Sequence, residues 1–273
     1  MPASALLLAL AAAAIHALWN VLLARARDTE AATAIAIVVG VIVFTPAAIL
    51  TWDVDADVWP YVVGSTSFEL AYIVLLAAAY TRSELSLVYP LARGIAPVLV
   101  LVVGVAALGA GTSPAQAAGV CLIGVGVLLV RGPRREADMR GIAFGVGIAA
   151  CIAAYTLIDN GGVEHAEPLP YLILVMAPAA LIYASALLWL RGAAALRAEI
   201  NVSTLAAGVA SLSSYALALA ALQLAPAAPV AAVRETSVVI AAVLAWVVLK
   251  EPVGPARLGG AVLVAAGIVF LGT

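Results

Sequence analysis

Long apolar runs separated by short polar segments set the pattern of this chain. A helix needs about 20 mostly apolar residues to cross the hydrocarbon core of a bilayer. Ten stretches reach that length: 2–24, 31–52, 60–80, 85–108, 113–130, 141–160, 169–190, 202–222, 226–249 and 254–272. The intervening segments RARDTE, DVDADVW, TRSE, RGPRREADMR, EHAEP, RGAAALRAEI and KEPVG hold most of the polar residues. Two boundaries, near Gly109–Pro114 and at LAPAAP, are marked by Gly and Pro alone. The pattern predicts an all-α integral membrane protein with ten transmembrane helices. The first run has no positive charge before it and continues to Ala24, so it reads as a retained span rather than a cleaved leader.

Orientation comes from the basic residues between spans. Arg25 and Arg27 follow span one, Arg82 span three, and Arg131, Arg134, Arg135 and Arg140 span five. Arg191 and Arg197 follow span seven, and Lys250 and Arg257 follow span nine. All lie after odd-numbered spans. The positive-inside rule places these loops in the cytoplasm and both termini outside, in a multi-pass protein of the cell membrane.

Composition agrees. Of 273 residues, 66% are hydrophobic and 10% charged, with 13 basic and 15 acidic side chains. A soluble domain carries about a quarter charged residues, and a nucleic-acid binder needs a basic surface. The expected solvent is therefore the lipid bilayer, with no nucleic-acid partner. Cys121 and Cys151 lie in apolar stretches, and His16 and His165 have no neighbouring Cys, so neither a metal nor another cofactor is expected.

The chain also resembles itself. A shift of 141 residues sets Arg93 on Arg234, Leu108 on Leu249 and Pro114-Ala115 on Pro255-Ala256. It also sets Gly119, Leu122 and Gly126 on Gly260, Leu263 and Gly267. A shift of 139 sets His16-Ala-Leu-Trp-Asn20 on Tyr155-Thr-Leu-Ile-Asp159, and Pro46-Ala-Ala matches Pro178-Ala-Ala. Two repeats are expected, residues 1–135 and 136–273. Five spans per repeat is an odd number, so the second enters the membrane from the opposite side. Inverted repeats of this kind place a transported solute near the midplane, between halves that move against each other.

Besides Arg257 at the very start of the last span, five charged residues fall inside spans: Glu69, Arg93, Asp159, Arg234 and Glu235. Each costs at least about 2.5–3.5 kcal/mol at a helix centre, so each needs a partner or a wet cavity. At 1.5 Å per residue, Arg93 and Arg234 lie about 12 Å deep and Glu69 about 14 Å, all near the midplane. Asp159 and Asn20 fall nearer the ends of their spans. Glu69 and Arg93 suit an ion pair if spans three and four form a hairpin, but Ala210 replaces Glu69 in the second repeat. Arg234 and Glu235 are adjacent on one helix and must seek different partners, one facing a central cavity and the other pairing across helices. The alternative for all of these charges is a purely structural role. Pro90, Gly94 and Pro97 around Arg93 are expected to kink span four and free carbonyls toward a cavity. His16, Trp19 and Asn20 share part of one helix, with His16 and Asn20 on one face. Tyr89, Tyr155 and Tyr215, together with Ser211, Ser213 and Ser214, complete the candidate lining. Ala115/Gly119 and Ala256/Gly260 permit close packing of spans five and ten, as scaffold or as a dimer contact.

These residues resemble the drug/metabolite transporter superfamily, of the ten-helix EamA type. The likeness rests on His16-Ala-Leu-Trp-Asn20, Ala154-Tyr-Thr-Leu-Ile-Asp159, Tyr89-Pro-Leu-Ala-Arg-Gly94, Arg234-Glu-Thr-Ser237 and Leu249-Lys-Glu-Pro252, and it covers essentially the whole chain. Halves of that family tend to end their fourth span with Glu; Glu251 keeps the position and Ala110 does not. The resemblance implies a secondary carrier, acting as permease or exporter, for a small organic metabolite or drug-like solute. Its cavity would be lined by spans one to four and six to nine. Arg93 or Arg234 would attract a carboxylate or phosphate, and Glu235 or Glu69 an amine or a coupling proton. The carrier would act as monomer or homodimer. A flippase for a lipid-linked substrate is the alternative on the same scaffold. The absence of a P-loop argues against direct ATP drive, and an intramembrane enzyme is disfavoured because the chain has no paired-aspartate motif, metal cluster or nucleophile elbow.

Overall fold

A computed structural model describes residues 1–24, 26–82, 85–130, 139–240, 243 and 255–272. Ten α-helices are defined among them: α1 (Ala3–Leu23), α2 (Thr29–Leu50), α3 (Trp59–Arg82), α4 (Leu85–Leu108) and α5 (Pro114–Val130). The second half supplies α6 (Met139–Gly162), α7 (Pro168–Ala198), α8 (Val202–Leu224), α9 (Ala227–Arg234) and α10 (Pro255–Gly272). Seven of the described helices are long and apolar enough to cross a membrane, and α5 and α10 are shorter apolar helices. Bulky apolar side chains face outward, with Leu50, Trp189 and Val202 all more than 80% exposed. The interior is instead rich in alanine, from Ala5, Ala9, Ala12 and Ala13 to Ala231 and Ala232. A surface of that kind suits hydrocarbon, and small interior residues let helix backbones approach.

Packing crosses between the halves. Helix α1 lies on α8, α3 on α6, α2 on α7 and α8, and α5 on α10. Close approach needs glycine where backbones meet. A Cβ on Gly119 would sit 2.8 Å from the Gly267 carbonyl oxygen, and one on Gly126 would sit 2.7 Å from that of Gly260. Gly208 is tighter still, with its Cβ position 2.2 Å from the Ala36 carbonyl oxygen.

The loops sort into two faces. On one, Asp28 caps α2 by accepting from the N–H groups of Glu30 and Ala31, and Arg191 of α7 pairs with both Asp28 (2.6 Å) and Glu30. The Asp28 N–H donates to Glu199 just beyond α7. On the other face, the Asp55 N–H bonds the His165 carbonyl (2.8 Å) and the Glu167 N–H bonds that of Asp53 (3.0 Å). The Met1 amino group donates to the Leu271 carbonyl at 2.8 Å, which brings residues 1 and 271 together.

Two expectations need correction. Span nine was expected as one helix over 226–249. Instead α9 ends at Arg234, and Glu235 adopts φ −72° and ψ −8° before helix resumes over 236–240. The Glu235 N–H reaches the Ala232 carbonyl and the Val238 N–H reaches that of Glu235, both at 3.1 Å. These i→i+3 bonds are a 3₁₀ tightening at the junction of the two helical segments. Span four is one helix, Leu85–Leu108, that includes both Pro90 and Pro97. The polar segment after span seven continues as helix to Ala198, with a break at Gly192 (φ 78°) that glycine tolerates. The boundary between the expected repeats and Leu249–Pro252 lie outside the described residues.

Candidate functional site

Four of the five charges expected inside spans, Glu69, Arg93, Asp159 and Glu235, are buried. Arg93 on α4 is 5% exposed and points one guanidinium nitrogen at Glu235 Oε1 (3.2 Å) and the other at His16 Nε2 (2.6 Å). Guanidinium can only donate, so Nε2 is the acceptor. Trp19 Nε1 lies 3.2 Å from His16 Nδ1, and the rings meet edge to face with centroids 4.9 Å apart. A neutral imidazole has one acceptor nitrogen, and Trp19 is also an obligate donor. The shorter Arg93 contact therefore takes the lone pair, and Trp19 is held mainly by ring packing.

This arrangement replaces the Glu69–Arg93 pair expected from a hairpin of spans three and four. Helices α3 and α4 barely touch, because each packs along α6. Arg93 instead joins the first half of the chain to the helix break in the second. Three side-chain oxygens at the break are buried without a hydrogen-bond partner among the described residues: Glu235 Oε2, Thr236 Oγ1 and Ser237 Oγ.

A second group surrounds Asp159. Its Oδ1 accepts from Ser65 (2.6 Å) and Tyr171 (3.0 Å), and its Oδ2 from Tyr215 (2.6 Å). Three hydroxyls thus satisfy a carboxylate that is 1% exposed. The Tyr215 hydroxyl also interacts with Glu69, linking the two acids. Tyr155 lies edge to face with Tyr72 (6.3 Å between centroids) and within electrostatic reach of Glu69, Arg93 and Arg234. Arg234 is half-buried and acts at range on His16, Glu69, Asp159 and Glu235, without a hydrogen bond or close ion pair among the described residues.

The remaining candidates are dispersed. Asn20 donates to the His16 carbonyl one turn back on its own helix (2.8 Å), and so does not join the charged layer. Ser213 bonds its own helix at Val209, whereas Ser214 crosses to the Ala12 carbonyl on α1 (2.8 Å). The side chain of Tyr89 lies outside the described residues. Ser65, Tyr171, Thr236 and Ser237 were missed. Ser65 had a readable signal, lying four residues before Glu69 on the same face of α3.

A cavity of 690 Å³ opens between α4, α6 and the start of α9, on the face of the molecule that carries the α4–α5 and α6–α7 connections. Val100, Leu101, Leu157, Asn160 and Ala228 are among the residues that line it; Arg93, Glu235, Glu69 and Asp159 are not. Val100 is seven residues beyond Arg93, about 10 Å along the helix.

A sequence profile described as the EamA-like transporter family matches residues 3–132 and again 139–273. The chain belongs to the EamA-like transporter family. Membership makes it a multi-pass membrane transporter of the drug/metabolite transporter type, in a family of carriers rather than enzymes. No curated protein matches it in sequence. A solved structure titled only "Crystal structure of protein" superposes with a TM-score of 0.76 at 15% identity. The superposition covers 99% of this chain and 96% of the other. At that identity the likeness shows a shared fold alone.

Proposed function

We propose that this EamA-like protein is a secondary carrier that moves a small organic solute across the cell membrane by alternating access. The observation that carries the reading is the buried Arg93–Glu235 pair, which ties α4 of the first family match to the helix break of the second. A charge pair spanning two halves at mid-membrane must open if the halves rock, and cargo charge can then take the place of either partner. The 690 Å³ cavity is the vestibule that leads toward this layer from one side.

The two matches are proposed to be inverted repeats in a ten-crossing chain. Helix pairing supports this, because exchanging the halves turns α1 on α8 into α6 on α3 and leaves α2 on α7 and α5 on α10 unchanged. The glycine contacts obey the same exchange: Gly119 on Gly267 becomes Gly260 on Gly126. Orientation with the Arg191 face in the cytoplasm follows from the basic residues. Proton coupling is proposed from the mid-membrane carboxylates.

Purified protein in proteoliposomes, screened for flux of amino acids, sugars and organic anions, tests the proposal. Arg234→Gln and Glu235→Gln are expected to reduce flux of the transported solute by about tenfold or more, as loss of a charged contact requires. Unchanged flux in both variants would remove the assigned site. A flux insensitive to an imposed pH gradient would remove proton coupling.

A further inference from the structure

We infer that the break between α9 and the helix that follows it is a binding site for a small monovalent cation, held by Glu235 Oε2, Thr236 Oγ1 and Ser237 Oγ. This deepens the carrier reading and rests on it for its use, although not for its detection.

The first argument is the state of the oxygens. Glu235, Thr236 and Ser237 are 3%, 4% and 2% exposed, and one side-chain oxygen of each has no hydrogen-bond partner among the described residues. Buried polar atoms are almost always satisfied, so three orphans in three successive residues require something to bind them. Elsewhere in the layer the protein meets the rule, since three hydroxyls serve Asp159 and two partners serve Arg93.

The second argument is charge. Among the described residues the layer holds two guanidiniums, Arg93 and Arg234, and three carboxylates, Glu69, Asp159 and Glu235. With His16 accepting from Arg93 and therefore neutral, the layer carries one negative charge in excess when all three carboxylates are ionised. A water molecule would serve the three oxygens without balancing that charge. A proton on Glu69 or Asp159 would balance it without serving the oxygens. A small cation at the break does both.

The third argument is position. Helix α9 ends at Arg234; the Glu235 N–H takes the Ala232 and Val233 carbonyls, and the helix end still carries partial negative charge along its axis. Interrupted membrane helices use such ends to hold cations. The donor set of one carboxylate oxygen and two hydroxyls suits a hard alkali cation or a primary ammonium group, and offers nothing to a soft metal. Two sources share that chemistry, a sodium ion from solution and the amine of a cargo molecule.

Equilibrium binding of radioactive sodium to purified protein, with choline as the replacement cation, separates them without any flux. Competition with methylammonium and the thermal unfolding midpoint in each salt are read on the same sample. Saturable sodium binding, or methylammonium binding that raises the midpoint where choline does not, supports the site. The first assigns it to the ion and the second to a cargo amine. In either case Thr236→Val and Ser237→Ala should weaken binding by about tenfold while leaving the choline midpoint unchanged. Overturning results are the same midpoint in all three salts with no saturable binding, or full affinity in both variants. A protein that binds the cation and transports nothing would fail the carrier reading alone.

Discussion

Arg93 has two tasks at one point in the membrane: it neutralises Glu235 and it donates to His16. Removing one partner of a buried pair leaves the other charge stranded, at a cost of about 3–5 kcal/mol. Arg93→Gln should therefore lower unfolding stability by about that amount. Arg93→Gln combined with Glu235→Gln should recover most of the loss in the same denaturation assay. A single variant as stable as the parent would sink the pairing. Asp28 gives a prediction outside the membrane. Partial burial works to raise its pKa, but the Ala31 N–H, Arg191 and the Glu30 N–H outweigh this and hold it below the usual carboxylate range. A depressed carboxylate stabilises the fold above its unfolded pKa, about 3.9, and the benefit is lost as pH falls through the folded value. Below about pH 4 the parent should lose stability more steeply than Asp28→Asn, read as unfolding midpoint against pH. The rare intramembrane charges were plain in the sequence, because hydropathy isolates them. Their partners were not. The hairpin argument assumed that sequence neighbours pack, and α6 lies against both α3 and α4 instead.

At the scale of elements, most helix limits followed from hydropathy and from the polar segments between runs. The break in α9 did not, because it contains neither proline nor glycine. Its signal was the run Glu235-Thr-Ser237, three polar residues where a span should be apolar. The pairing of α5 with α10 was half legible: small residues four apart announced a close contact, but only the fold shows that each helix is the other's partner. That contact is testable. Gly119→Ala places a methyl 2.8 Å from the Gly267 carbonyl oxygen and must push two backbones apart. It should cost about 1–3 kcal/mol, the usual range for overpacking. Gly111→Ala, with nothing within 4 Å of the added carbon, should leave the unfolding midpoint where it was. Equal midpoints for both variants would deny the close approach.

For the whole molecule, the loop contacts make a statement that sequence supported only through its basic residues. Arg191, Asp28 and Glu30 meet on one face, and Val54 pairs with Ala166 on the other. A reporter fused at Thr273 should read as external, and a cysteine at Glu30 should be reached by impermeant reagents only from the cytoplasmic side. A cytoplasmic reading at Thr273 would reverse the proposed orientation. The meeting of Met1 with Leu271 carries a different consequence. Residues that touch in this way can be joined by a short peptide and the chain reopened elsewhere. A circular permutant linked there and cut within residues 131–138 would be synthesised with its second half first. Native unfolding behaviour in that permutant would mean that neither half needs the other as a template for insertion, and that the order of the halves in the gene is a matter of history rather than of folding.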